Sequence, residues 1–74
     1  MLDCYKVIVN SSVFSVGQIL YRVREAGSME TVYTKETGIP HFAVTFNSSG
    51  SGPLYAIPSS HLTIITPGES RMHP

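Results

Sequence analysis

Apolar and polar residues alternate with a period of two through several short runs of this chain, and clusters of Gly, Ser, Asn and Pro separate the runs. Tyr5 to Asn10 places Tyr5, Val7 and Val9 on one face and Cys4, Lys6 and Ile8 on the other. Ile19 to Arg24 sends Ile19, Tyr21 and Val23 to one side and Leu20, Arg22 and Arg24 to the opposite side, so the two arginines are expected to face water. A turn at Ala26-Gly27-Ser28 follows. Glu30 to Lys35, polar and containing Thr and Tyr, then predicts a further strand at a sheet edge.

Pro40 lacks an amide hydrogen and Gly38 takes positive φ readily, so Glu36 to Pro40 is expected to break the pairing. His41 to Phe46 alternates again, with Phe42, Val44 and Phe46 as the expected core residues. Asn47 to Pro53 reads as the tip of a hairpin leading to Leu54 to Ile57. Pro58 to His61 suits a single 3₁₀ turn before a last strand, Leu62 to Thr66. No segment shows helical periodicity over ten residues, and no repeat is present. The expected fold is therefore all-β: five or six short strands that remove their edges by curling into a small barrel over residues 1–66, with a flexible C-terminal tail at 67–74.

Composition narrows this picture. A chain of 74 residues has room for one core, and a core of that size supplies only about 3–5 kcal/mol, which makes self-association a natural remedy. Cys4 is the only cysteine, so no disulfide forms within the chain, and a reducing, cytoplasmic setting is expected. The first residues include Asp3 and Lys6 ahead of any long apolar run, unlike a secretory signal, and no apolar stretch approaches the roughly 20 residues of a membrane span. Asn10-Ser11-Ser12 and Asn47-Ser48-Ser49 match a glycosylation pattern but read as polar turns. Net charge is zero and 14% of residues are charged, which argues against a phosphate-neutralising surface for nucleic acid. With 42% hydrophobic residues, the balance favours a protein partner or a homo-oligomer.

Two motifs carry a resemblance. Val13-Phe14-Ser15-Val16-Gly17-Gln18-Ile19-Leu20-Tyr21-Arg22-Val23 resembles the entry of SH3 domains into their second strand, with Gln18 in place of an acidic residue. Leu54-Tyr55-Ala56-Ile57-Pro58-Ser59-Ser60-His61-Leu62 resembles the closing signature of the same family, with Ser60 and His61 in place of Asn and Tyr. Order and spacing match an SH3-like β-barrel from about residue 13 to residue 65. The family's acidic first loop and its tryptophan are missing, so recognition of Pro-x-x-Pro peptides is not implied. The likeness is closer to the trimmed SH3-like barrels of bacterial and phage proteins, which bind proteins, nucleic acids or, as tetramers, small molecules.

The resemblance implies that the family's Pro and Tyr contacts fall on Pro58 and His61, and its tryptophan position near His41, bringing two histidines to one surface. Two histidines without a nearby Cys, Asp or Glu make a poor metal site. Tyr21, Tyr33 and Tyr55 offer amphipathic contacts suited to interfaces, and Arg22 and Arg24 could meet an acidic partner. No nucleophile, base and orienting acid occur together, Cys4 reads as a bystander thiol, and the glycines of 47–53 lack the lysine of a phosphate loop. The expectation is a non-catalytic protein-interaction module, an inhibitor or accessory subunit acting through a barrel face or sheet edge, with no cofactor and no metal. A nucleic-acid-binding barrel and an oligomeric enzyme with a shared pore are the alternatives.

Overall fold

The computed structural model describes residues 2–66. Five strands, β1 (Cys4–Val7), β2 (Ile19–Arg22), β3 (His41–Thr45), β4 (Tyr55–Pro58) and β5 (Leu62–Thr66), form one antiparallel sheet in the order β4-β3-β2-β1-β5. One helix, α1 (Gly27–Thr37), follows a 3₁₀ turn at Arg24–Ala26, and a second 3₁₀ turn, Ser59–His61, joins β4 to β5. The expected last strand and the 3₁₀ turn before it are both present. The tail expected at 67–74 lies outside the described residues.

The sheet is curled but not closed. In a flat sheet of this order the edge strands β4 and β5 would lie about 19 Å apart. Three residues of 3₁₀ helix bring the end of β4 to the start of β5 within about 8 Å, so the sheet bends strongly at that end. No ladder joins β4 to β5. The structure is thus a small, mostly β domain with one helix.

The concave face carries the core. Tyr5 and Val7 of β1, Leu20 of β2, Val44 of β3, Ile57 of β4 and Leu62 of β5 are buried together with Phe14 from the β1–β2 loop, and Phe42 and Tyr55 pack against them. The registers Tyr5↔Leu20 and Phe42↔Ile57 place these residues on one side of the sheet. The expected inward face of β2 is therefore reversed: Leu20 is fully buried, whereas Ile19 is 38% exposed. Arg22 shares the side of Leu20. Its aliphatic stem covers apolar surface and its guanidinium lies 3.8 Å from the centre of the Phe42 ring, which lets a cation stand at the rim of a core. Phe46, expected inside, is 45% exposed because β3 ends at Thr45 and alternation no longer directs the side chain. Val9 is likewise exposed, since β1 ends at Val7.

The convex face is covered in part by the β3–β4 loop. Thr45 is buried there; its hydroxyl donates to the Ser51 carbonyl and accepts the Asn47 amide. Gly50 approaches Leu2 and Val23 so closely that a Cβ would lie 3.0 Å from Leu2 Cδ1, and its φ of 85° is one that only glycine adopts without strain. Asn47 Oδ1 accepts hydrogen bonds from the Ser49 amide and hydroxyl, and Asn10 Oδ1 accepts one from the Val16 amide. Both asparagines therefore sit in hydrogen-bonded polar turns.

Candidate functional site

The strand expected at Glu30 to Lys35 is instead the middle of α1. No residue of this helix is buried, so the apolar stripe that usually reveals a helix is missing. Polar side chains attach it instead. β2 ends at Arg22 and leaves the next amides of β3 without a neighbouring strand. Glu30 Oε2 accepts from the Ala43 amide at 3.0 Å and Thr34 Oγ1 accepts from the His41 amide at 3.0 Å. Residues four apart on a helix rise about 6 Å, and residues two apart on a strand about 6.7 Å. That match lets two helix side chains replace a missing strand. Gly38 ends the helix at φ 73°, and its amide donates to the Thr34 carbonyl.

Glu30 also binds Arg22, whose Nε and Nη2 donate to Oε2 and Oε1 at 3.1 and 2.9 Å. Both side chains are largely shielded, at 20% and 14% exposure. Burial alone would raise the Glu30 pKa, but hydrogen bonds from Arg22 and the Ala43 amide, with the charges of Arg22 and Arg24, outweigh it and hold the carboxyl below its usual value. The Glu30 hydrogen bond in turn raises Arg22. Arg24 pairs with Asp3, which is buried at 3% exposure. Arg22 is thus not free in water as the alternation of β2 had suggested, whereas Arg24, although paired with Asp3, keeps a side chain 62% exposed.

The remaining expected site residues divide into four places. Tyr33 of α1, His41 of β3 and Pro58 of β4 come together: the Tyr33 and His41 rings are 5.9 Å apart, and His41 is the register partner of Pro58. His41 Nδ1 lies 2.7 Å from the Ile39 carbonyl. A carbonyl can only accept, so this nitrogen carries a proton and donates. His61 closes the Ser59–His61 turn, and its carbonyl accepts the Ile8 amide. No ring contact joins it to His41 among the described residues. Tyr21 is half-buried on the convex face, opposite Cys4 and Thr45.

Tyr55 belongs to a different surface. Phe14, Phe46 and Tyr55 form a mutually contacting aromatic cluster, with centroids 5.9 Å (Phe14–Phe46), 5.8 Å (Phe14–Tyr55) and 5.7 Å (Phe46–Tyr55) apart. The last two pairs meet edge to face, the arrangement that ring quadrupoles prefer. Phe14 is buried at its base, Phe46 is 45% exposed at its top, and Val13 and Leu54, adjacent in sequence, are also exposed. Phe14 and Phe46 were not among the expected site residues. The available sign was an aromatic residue set immediately before the polar loop that begins at Asn47.

Among the described residues no group of His, Cys, Asp and Glu could hold a metal ion, and no helix is long and apolar enough to cross a membrane. Comparison of the chain with models of protein families, with curated proteins and with solved structures finds no match.

Proposed function

We propose that this chain is a small SH3-like domain that binds another protein, as an inhibitor or accessory subunit, and that the aromatic cluster of Phe14, Phe46 and Tyr55 is the docking face. The fold part of this reading is supported by the curled five-strand antiparallel sheet and the 3₁₀ turn before its last strand. The observation that carries the docking face is Phe46: a phenylalanine held by two other rings, yet 45% open to solvent. Fixed aromatic rings lose little conformational freedom on binding and contribute large apolar area, which is why they dominate interface energetics. No charged residue adjoins Phe14, Phe46 or Tyr55 in sequence, so the partner surface is apolar and uncharged.

Nucleic acid is the weaker alternative because two of the five Lys and Arg side chains, Arg22 and Arg24, are neutralised by Glu30 and Asp3. The test is a photo-crosslinking residue at position 46, compared with one at Lys35 on α1, in the native host. A discrete protein adduct from position 46 alone, lost in a Leu54→Ser background, supports the reading. Equal adducts from both positions, or adducts to nucleic acid, would refute it.

A further inference from the structure

β5 pairs with β1 on one side and, among the described residues, has no strand on the other. The Ile8 amide donates to the His61 carbonyl, which fixes the phase of the ladder. Bonded and non-bonded pairs alternate along an antiparallel ladder, so Lys6↔Thr63 is a bonded pair and Tyr5↔Ile64 is not. The amide and carbonyl of Ile64 therefore point away from β1, toward the open edge. Its side chain shares the concave face with Tyr5 and Leu62. Leu62 is 8% exposed but Ile64 is 49% exposed, because the core layer stops there for want of a neighbouring strand.

The two sheet edges are not equally protected. β4 contains Pro58, which cannot donate to an added strand. The five residues of β5, Leu-Thr-Ile-Ile-Thr, contain no charge, proline or glycine, the usual guards of an edge. A bulge between the Cys4 and Tyr5 pairings leaves Ile65 as the extra residue, and it too is 49% exposed.

We propose that β5 is the seam of a two-fold symmetric dimer, in which it pairs antiparallel with β5 of a second copy about Ile64. Each Ile64 amide donates to the carbonyl of the other, so the strand is its own complement and the bonded pair lies on the symmetry axis. The two Ile64 side chains become neighbours on one face and continue the interrupted core layer from one copy to the next. Uncharged strands on a chain of zero net charge meet without electrostatic opposition. A seam of this length falls at the small end of protein interfaces, so the dissociation constant is expected at about 1–100 µM.

Sedimentation of the full chain between about 5 and 500 µM, compared with Ile64→Lys, tests this. The wild type should pass from one chain to two across that range, while Ile64→Lys stays at one chain with an unchanged circular dichroism spectrum. In parallel, hydrogen exchange at the Ile64 amide should slow as protein concentration rises. Phe46→Ser should dimerise like the wild type, which separates this seam from the proposed docking face. A wild type that remains one chain at the highest concentration, an Ile64→Lys variant that dimerises equally, or an Ile64 amide indifferent to concentration would each overturn the proposal. If Ile64→Lys fails to fold, Ile64→Thr replaces it, and the exchange rate of the wild-type Ile64 amide decides.

Discussion

Replacing Glu30 with alanine removes three hydrogen bonds at once: two from Arg22 and one from the Ala43 amide. The Ala43 amide sits in a residue with no exposed surface, so it is left without an acceptor, and an orphaned buried donor costs about 1–3 kcal/mol. Arg22 keeps its charge against Phe42 but loses its counter-ion. Exposed pairs contribute about 0–1 kcal/mol, whereas breaking a buried one costs about 3–5. With side chains at 20% and 14% exposure, this pair stands between those limits, at about 1–3 kcal/mol. The combined loss, about 2–6 kcal/mol, is comparable with the whole stability of about 3–5 kcal/mol expected of so small a domain. Glu30→Ala should therefore be largely unfolded at 25 °C. Glu30→Gln, which keeps one acceptor oxygen, should lose about 1–2 kcal/mol. Urea titration followed by far-ultraviolet circular dichroism measures both. A Glu30→Ala protein that keeps its helix signal and loses less than about 1 kcal/mol would show that α1 is held by something other than this carboxylate.

Three more outcomes follow from the same geometry. Because the Glu30 pKa is lowered in the folded state, the unfolded chain takes up the proton first, so its contribution is complete above the ordinary value of 4.5 and fades as pH falls through the folded pKa. The urea midpoint should accordingly drop less in Glu30→Gln than in the wild type between neutral pH and pH about 3, and equal drops would contradict the assignment. Leu20→Ala should cost about 2–5 kcal/mol and Ile19→Ala under about 1; the reverse order in thermal melts would put β2 in the opposite phase. Gly50→Ala places a Cβ against Leu2 at a positive φ and should cost about 1–2 kcal/mol, a fall in melting temperature of about 4–16 °C. An unchanged melt would mean that the loop does not lie over Leu2.

The strands were readable where both faces differ in polarity. Tyr5 and Val7 alternate with Lys6 as a half-buried strand should, and Leu62 to Thr66 keeps the limits that its β-branched run predicts. The 3₁₀ turn was readable from Pro58-Ser59-Ser60, because local backbone chemistry sets it. β2 misled for a definite reason: assigning arginines to water chooses the wrong phase when one arginine stacks on Phe42 and is neutralised by a glutamate eight residues away. The helix was invisible because periodicity detects buried apolar side chains and α1 has none. What marks it in retrospect is polar: Glu30 and Thr34 four apart, then Gly38 four further on. Of the candidate site, the contact of Tyr33 with His41 was not legible because Tyr33 was expected on an edge strand, and Tyr55 joins Phe14 and Phe46 through contacts between distant segments that no local spacing encodes.

The apolar content of the chain also bears on what the fold is for. Among the described residues eight hydrophobic side chains are buried and twelve large ones are exposed. A chain selected only to stand alone in water gains nothing from leaving Ile64, Ile65 and Phe46 each at nearly half exposure, since each is an aggregation hazard. Their positions are not scattered at random. Phe46 stands on two other rings, and Ile64 stands where the concave layer lacks its next strand. Holding α1 by Glu30 and Thr34, rather than by an apolar stripe, leaves the concave face to the β-strands and the Phe14 loop alone. Part of the apolar surface that this small core does not enclose then stands at two separate places on the sheet, Phe46 and Ile64, which are the places proposed above for a partner of different sequence and for a copy of the chain.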